Sequence, residues 1–511
     1  MSDISANNKR IAKNTLLLYF RTILVMMISL YTSRVVLDTL GVEDFGIYNV
    51  VGGVVAIFGI ISGSLSSAIS RFITFELGRG DKEKLKRIFS TSVNIQLGLS
   101  LIIIILGETI GLWFLNYKMS IPAERMYAAN WVLHCSLLTF AINLVSIPYN
   151  ATIIAHERMG IFAYVSILEV SLKLAIVYLL YISLWDKLII YSILLVAVAA
   201  CIRLIYGMYC RRHFEETKYI IVYDHQLVKE MSSFSGWNFI GVTSAILRDH
   251  GGNIVINLFC GPTANAARGI ATQINNAIQG FVSNFMTALN PAITKSYANG
   301  DNNYMMTLVF QGARLAFYML LILSLPIIIN APYILSLWLN TVPEHTTSFV
   351  RLVLIFAMSE SVSQPLITAM MATGRIRNYQ IVVGGLQMMN FPVSYALLRI
   401  GYIPETVLLV AIGISQCCLI ARLFMLKRMI KLPVKKFFYE VYCNVLIVAI
   451  CSAFIPYTFS YILEASFISF VLTSTISLFC TICIIYYIGC SKHERDFILR
   501  KVKKHSWIVK H

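Results

Sequence analysis

Three ionisable residues, Arg248, Asp249 and His250, stand in a row within an otherwise apolar stretch, AILRDHGGNIVINLFCG, at residues 245–261. A guanidinium suits phosphate because its planar fork can donate two parallel hydrogen bonds. An imidazole titrates near neutral pH and can exchange a proton with a substrate pathway. The two glycines that follow permit a bend. The pattern predicts an anion-binding arginine on a bent helix, with His250 either coupling transport to protons or only making hydrogen bonds.

Similar charges interrupt other apolar runs that are long enough to cross a membrane. Nine basic residues lie within these runs: Arg21, Arg34, Lys173, Arg203, Arg248, Arg268, Arg314, Arg351 and Arg422. The acids within them are Glu108, Glu169, Asp249 and Glu360, with Asp38 at a helix end. A charge at the bilayer centre costs about 2.5–3.5 kcal/mol on insertion scales. Such residues are therefore expected to face a polar cavity or a charged partner.

Some of these charges have simpler explanations. Arg203 and Arg422 lie near predicted cytoplasmic helix ends, where a long basic side chain can reach the interface, and we expect both to do so. Glu169 and Lys173 are four residues apart on one helix, so they form either a private salt bridge or part of a shared substrate or coupling site. Glu108 has no evident partner in the sequence.

The composition identifies the class of protein. Of 511 residues, 58% are hydrophobic and 13% are charged, and the mean hydropathy is +0.72, whereas a soluble domain carries about 25% charged residues. The chain is predicted to be an all-α polytopic membrane protein. Its net charge of +17 then reflects topology and predicts no nucleic-acid partner. The close pair Cys480 and Cys483 lies in an apolar run without a further ligand, so no metal, redox centre or other cofactor is predicted.

About fourteen spans are predicted, and the basic residues orient them. The spans are placed at about 13–38, 45–70, 88–115, 124–155, 160–183, 187–209, 231–259, 262–290, 306–330, 345–371, 377–398, 404–426, 439–461 and 466–489. With the N-terminus in the cytoplasm, 29 of the 42 Lys and Arg residues fall on the cytoplasmic side and four on the outer side. Both termini are therefore predicted to be cytoplasmic, and the first helix is predicted to be a retained span rather than a signal peptide.

The sequence contains a weak internal repeat. A shift of 220 residues aligns Gly41 with Gly261 and Gly80 with Gly300. Because this offset covers six helices, an even number, it predicts two lobes in the same orientation, related by a pseudo-twofold axis along the membrane normal, with the substrate site between them. The predicted divisions are an N-lobe with its cytoplasmic linker (1–230), a C-lobe (231–430), and helices 13 and 14 with a basic tail (431–511).

On this arrangement four arginines converge on a positively charged central cavity: Arg21, Arg34, Arg248 and Arg268. Further candidate cations are Arg314 and Arg351. The groups proposed for ion coupling or charge pairing are Asp38, Glu169, Lys173, Asp249, His250 and Glu360. The alternative is a set of scattered structural ion pairs.

Three stretches resemble the polysaccharide transporter family of the multidrug/oligosaccharidyl-lipid/polysaccharide (MOP) exporter superfamily. They are SRVVLDTLGVEDFGIYNVVGGVV (33–55), AHERMGIFAYVSILEVSLKL (155–174) and FSGWNFIG (234–241). The resemblance implies two six-helix lobes that alternate between inward-open and outward-open states. It also implies a cation-lined lumen and the passage of an undecaprenyl-diphosphate-linked glycan to the periplasmic leaflet of the bacterial inner membrane. The two extra C-terminal helices resemble those of lipid II flippases, whereas many O-antigen flippases have twelve helices, so the resemblance leaves O-antigen, capsule and other lipid-linked precursors open.

Three functions are compatible with these observations. The leading one is a flippase for lipid-linked oligosaccharides, with H⁺ or Na⁺ as the coupling ion and with polysaccharide polymerase or assembly proteins as further partners. The second is an ion-coupled antiporter of organic cations with the same fold, against which the excess of basic residues argues. The third is a membrane scaffold whose basic tail, with Phe497, Ile498, Leu499 and Val502, binds anionic lipid or partners. No P-loop, HExxH motif or hydrolytic acidic cluster occurs in the sequence, so no enzyme is predicted.

Overall fold

The computed structural model describes residues 2–56, 58–119, 121–182, 185–222, 224–339, 341–463, 466–492 and 494–496. Within these ranges every regular element is helical and there is no strand. Helices satisfy their own backbone hydrogen bonds, as the interior of a lipid bilayer requires. The predicted all-α polytopic fold is confirmed. The tail proposed as an interfacial helix, with Phe497, Ile498, Leu499 and Val502, lies outside the described residues.

The α-helices are α1 (Ser2–Ala56), α2 (Gly59–Arg79), α3 (Lys82–Leu106), α4 (Leu112–Lys118), α5 (Met126–Ala155), α6 (Met159–Ile182), α7 (Lys187–His213), α8 (His225–Ala298), α9 (Asn302–Ile329), α10 (Ala331–Trp338), α11 (Thr346–Ala372), α12 (Arg377–Met388), α13 (Asn390–Arg399), α14 (Thr406–Ile430), α15 (Val434–Phe437), α16 (Asn444–Ile462) and α17 (Phe467–Ile484). Short π-helical segments occur at Gly107–Gly111, Phe438–Cys443 and Ile485–Gly489, and 3₁₀ turns at Ala123–Arg125 and Glu215–Thr217.

Eleven helical stretches among the described residues are long and apolar enough to cross a membrane. The predicted spans at 45–70, 231–259 and 262–290 are not among them. The latter two lie within α8, which carries the Arg248–Asp249–His250 cluster. The count of fourteen spans therefore stays a prediction.

Two long helical runs are broken at a glycine. α1 has non-helical backbone at Gly41 (φ 80°, ψ 169°), and α8 has it at Gly261 (φ 79°, ψ −178°). Gly80 and Gly300, which follow α2 and α8, also have positive φ, of 78° and 77°. Residues with a β-carbon are disfavoured at positive φ. Each pair of glycines that the 220-residue shift aligns thus shares a positive φ, and Gly41 and Gly261 each lie between two predicted spans. At Gly251 and Gly252, where the sequence favoured a bend, the backbone of α8 stays helical, and the break comes at Gly261 instead.

The chain forms two compact units. The first unit consists of the described residues within Met1–Thr243 and Thr287–Asp301, and the second of those within Ser244–Met286 and Asn302–His511. The helical run α8 contributes to both units. The division into lobes at residues 230 and 430 stays a prediction.

Each unit has its own buried core. In the first unit, Leu18, Met159 and Ala288 are fully buried and pack together. In the second unit, Leu320 of α9 and Phe349 of α11 are fully buried. Burial of one face on each helix leaves the other apolar face for lipid, which fits the many exposed large hydrophobic side chains of the eleven candidate spans.

Candidate functional site

Arg268 is a buried cation of the second unit, on the part of α8 that follows the Gly261 kink. It is 7% exposed, and its Nη2 donates a hydrogen bond to the backbone carbonyl of Asp249 at 3.2 Å. Its Nη1 is buried and has no hydrogen-bond partner among the described residues. A β-carbon at position 252 would lie 2.4 Å from this Nη1. Gly252 therefore provides the space that the guanidinium occupies.

Arg248 lies near Arg268 and is hydrogen-bonded to its sequence neighbour, Asp249. Its Nε donates to Asp249 Oδ1 at 2.9 Å and its Nη2 to Oδ2 at 3.3 Å. The guanidinium also lies over the ring of Phe356, 4.9 Å from the centroid, a cation–π contact. Arg248 and Arg268 are close enough to interact electrostatically with each other and with Asp249. Arg248 binds the Asp249 carboxylate and Arg268 binds the Asp249 backbone carbonyl, so two guanidinium groups lie near one another, an arrangement that can hold an anion.

Glu360 is the second acid near Arg248, and it ends a chain of hydrogen bonds. Ser415 Oγ donates to Glu360 Oε1 at 2.5 Å and lies 3.1 Å from Ser359 Oγ. Gln416 Nε2 donates to Ser359 Oγ at 2.5 Å, and the Tyr442 hydroxyl donates to Gln416 Oε1 at 2.9 Å. The chain joins α11, α14 and the π-helical segment Phe438–Cys443. In such a chain each hydrogen bond polarises the next, which strengthens the bond to the carboxylate.

Arg422 also belongs to this polar interior. It is 1% exposed, it is hydrogen-bonded to Tyr379, and it lies within electrostatic range of Glu360. The prediction that Arg422 reaches the membrane interface is wrong, because its side chain points into the packed interior of the second unit. Together Arg248, Arg268 and Arg422 outnumber Asp249 and Glu360, so this group, which we call the second-unit cluster, has an excess of one positive charge.

A smaller charged group lies in the first unit. Arg21 lies over the ring of Phe162, 4.7 Å from its centroid, and its Nε is buried without a hydrogen-bond partner among the described residues. Glu169 and Tyr206 are within electrostatic range of Arg21. Lys173 Nζ lies 2.6 Å from Glu169 Oε1, so the i, i+4 pair forms. Glu169 is thus ion-paired with Lys173 and also lies within electrostatic range of Arg21.

Arg34 and Asp38 line a cavity of about 780 Å³ in the first unit. Both side chains are exposed, and their four-residue spacing puts them on one face of α1. The other residues of the lining are Tyr31, Val35, Tyr178 and Ile182. The hydroxyls of Tyr31 and Tyr178 are hydrogen-bonded at 2.9 Å.

The structure places the remaining candidates elsewhere. Arg314 Nη2 is paired with Glu494 Oε1 at 2.8 Å. Arg351 is exposed and donates from Nε to the carbonyl of Ile328 at 3.0 Å. His250 is exposed. Of the sequence-predicted site residues, the second-unit cluster therefore contains Arg248, Asp249, Arg268 and Glu360. Arg314 and Arg351 bond to other residues and are not part of it.

Sequence reasoning found no partner for Glu108 and did not single out several polar residues. Glu108 Oε1 lies 2.8 Å from His134 Nδ1, and Glu108 stands in the π-helical segment Gly107–Gly111. Ser415, Gln416 and Tyr442 are neutral, so a search for charged residues does not find them. A run of polar side chains in membrane helices is the sequence signal that could have found them, because such side chains form hydrogen bonds between helices.

Comparison with known proteins places these features in a family. The profile of the polysaccharide biosynthesis protein family matches residues 11–297, and the MatE profile matches residues 252–396. The chain is 21% identical over 298 residues to the uncharacterized membrane protein EpsK of Bacillus subtilis strain 168, which is 57% of this chain and 58% of that protein. The match thus spans less than two thirds of that relative.

Solved structures of transporters have the same fold. An outward-facing multidrug resistance MATE family transporter of the MOP superfamily aligns with a TM-score of 0.72 and 14% identity, over 83% of this chain and 96% of that chain. A MOP superfamily transporter from Pyrococcus furiosus, for which a reverse polarity of the binding pocket was taken to suggest a different function, aligns with a TM-score of 0.69 and 13% identity. That alignment covers 84% of this chain and 96% of the other. At these identities the likeness concerns the fold.

Proposed function

We propose that this chain, which belongs to the polysaccharide biosynthesis protein family, is a flippase for undecaprenyl-diphosphate-linked oligosaccharides. It is a membrane transporter of the MOP superfamily and not an enzyme. The proposed direction is from the cytoplasmic to the periplasmic leaflet of a bacterial inner membrane, with both termini in the cytoplasm. The polyprenyl tail stays in lipid while the diphosphate and glycan pass through a polar, cation-lined interior by alternating access. H⁺ or Na⁺ is the proposed coupling ion.

The observation that supports this proposal most strongly is the buried guanidinium of Arg268 with its unpartnered Nη1. A buried polar group without a hydrogen bond costs about 1–3 kcal/mol, and a charged one costs more. An arriving phosphate oxygen offsets that cost because it supplies both the missing acceptor and a negative charge. Arg248, which is close enough to interact electrostatically with Arg268, provides a second guanidinium for the same anion.

A second candidate function is the export of organic cations. The side chain of Asp249 is 60% exposed, and Asp38 is exposed in the first-unit cavity. Carboxylates in these positions can attract a cationic drug. The excess positive charge of the second-unit cluster disfavours an organic cation, because a cation that enters the cluster meets three guanidinium groups and two carboxylates. A scaffold without transport leaves the Nη1 of Arg268, which has no hydrogen bond among the described residues, unexplained.

The experiment compares Arg268→Ala, Arg268→Lys and Arg399→Ala in a strain that lacks the native gene. Arg399 is an exposed arginine at the end of α13 and serves as a matched control for loss of charge. Loss of a charge-assisted hydrogen bond of about 1.5–3 kcal/mol predicts export that is about 10- to 100-fold slower in Arg268→Ala. Arg268→Lys keeps the charge but not the planar fork, so we expect partial export.

Two measurements decide the outcome. Membrane insertion of each variant is measured by its amount in the membrane fraction, and export by the surface polymer formed per cell. Normal insertion with lipid-linked repeat units retained in the cytoplasmic leaflet supports the proposal. Wild-type export by both Arg268→Ala and Arg248→Ala contradicts it.

A further inference from the structure

The cavity of the first unit differs from the second-unit cluster in its charge. Its ionisable lining residues are Arg34 and Asp38, whose formal charges cancel. A diphosphate requires an excess of positive charge, and an organic cation requires an excess of negative charge. The lining therefore favours a ligand that is uncharged and still makes many hydrogen bonds.

The walls of the cavity combine flat apolar surface with polar groups. Tyr31 and Tyr178 are about half exposed, at 51% and 47%, and their rings are joined at the hydroxyls. Val35 and Ile182 add aliphatic surface. A tyrosine presents an apolar ring with a polar tip. A pyranose has the matching character, since its faces carry C–H groups and its edge carries hydroxyls.

We propose that this cavity is a binding site for a neutral sugar residue of the glycan. The Asp38 carboxylate accepts hydrogen bonds from two neighbouring hydroxyls, Arg34 donates to hydroxyl or ring oxygens, and the tyrosine rings cover an apolar face. The cavity volume of about 780 Å³ lies within the range of small-molecule sites, about 300–1,000 Å³. The choice of a sugar rests on the proposed flippase function. Arg34 and Asp38 then recognise the glycan, instead of the diphosphate and the coupling ion that the sequence suggested for them.

The test uses the full-length protein in detergent micelles and saturation-transfer difference NMR, which detects weak binding. The probes are free N-acetyl-D-glucosamine, D-glucose and D-galactose. We expect saturation transfer to the ring protons of at least one probe. Asp38→Asn should weaken that binding about 10- to 100-fold, since it removes hydrogen bonds to a charged acceptor. Tyr178→Leu should abolish the signal, and Tyr178→Phe, which keeps the ring, should retain most of it.

Tyr117→Leu is the matched control, because Tyr117 is 77% exposed and is not part of the cavity lining. This variant should bind the sugar as the wild type does. No signal with any probe, or equal loss in Tyr178→Leu and Tyr117→Leu, overturns the assignment. Binding of tetraphenylphosphonium that depends on Asp38, without sugar binding, also overturns it and points to a cationic ligand.

The outcome can be distinguished from a failure of the flippase proposal. Arg268→Ala should leave the sugar signal unchanged, because Arg268 is not among the residues that line the cavity. If Arg268→Ala exports normally while the sugar signal still depends on Asp38, the role of Arg268 is wrong and the sugar site stands. If Arg268→Ala blocks export and no sugar binds, the sugar site is wrong and the flippase stands.

Discussion

Adding one carbon atom at Gly252 should impair transport by displacing Arg268. The β-carbon of alanine at this position would lie 2.4 Å from Nη1, 2.7 Å from Nη2 and 3.0 Å from Cζ of Arg268. To restore an ordinary contact of 3.4 Å from Nη1, the guanidinium must move by at least 1.0 Å (3.4 minus 2.4). Because Arg268 is 7% exposed, its side chain has little room for that movement.

The expected magnitude follows from the hydrogen bond that this displacement breaks. Nη2 lies 3.2 Å from the carbonyl of Asp249, so a shift of this size takes it beyond hydrogen-bonding distance. The displaced guanidinium then also loses its charge-assisted hydrogen bond to the anion, and such a bond contributes about 1.5–3 kcal/mol, which corresponds to a loss of about 10- to 100-fold in binding of the anion. Gly252→Ala should therefore approach the defect of Arg268→Ala even though it removes no charge.

The assay measures export of lipid-linked glycan in cells and binding of inorganic pyrophosphate to the purified protein by calorimetry. Gly269→Ala is the matched control, because Gly269 is next to Arg268 and a β-carbon there has no atom within 4 Å. Both substitutions gain about 0.8–1 kcal/mol of helix propensity, so only the contact with Arg268 differs. Wild-type export and pyrophosphate binding in Gly252→Ala would refute the role assigned to the guanidinium.

Two further predictions concern the loop regions of the first unit. The side chain of Glu157 is 2% exposed and is paired with Arg10 at 2.6 Å and Lys295 at 2.9 Å. Glu157→Gln should therefore destabilise the protein by about 3 kcal/mol, which is measured as a lower Tm in detergent. An unchanged Tm would show that the two ion pairs do not contribute to stability. Burial is the largest single influence on the Glu216 carboxyl and raises its pKa, but the hydrogen bonds from His156 and the backbone, together with the nearby charges of His156 and Lys82, outweigh burial and leave the pKa below the ordinary 4.5. The ionised Glu216 carboxylate therefore stabilises the folded protein above pH 4.5, and this contribution is lost as the pH falls through the lowered pKa. The Tm difference between wild type and Glu216→Gln should shrink on acidification, and a difference that grows at low pH would contradict this.

The sequence was most informative where a contact lies within one helix or at one backbone position. The spacing of Glu169 and Lys173 placed them on one helix face, and they form an ion pair. Gly41 and Gly261 lie between predicted spans, and both have positive φ. Helical periodicity and the freedom of glycine act locally, so a single sequence contains enough information to predict both.

Contacts between helices were harder to predict, because they depend on how two helices are packed. Glu108 and His134 are 26 residues apart and meet across two helices, which no spacing rule indicates. The burial of Arg422 depends on Tyr379 of α12 and Glu360 of α11. The same holds for Arg268, whose position requires both the turn at Gly261 and the absence of a side chain at residue 252.

The most direct test of the central claim is made in the native host. The gene is deleted, and the lipid-linked glycan and the surface polysaccharide are followed, with complementation by the wild type and by Arg268→Ala. We predict that lipid-linked repeat units accumulate in the cytoplasmic leaflet, that surface polymer is lost, and that only the wild type restores it. An unchanged glycan profile together with new sensitivity to cationic drugs would contradict the flippase and favour the export of organic cations.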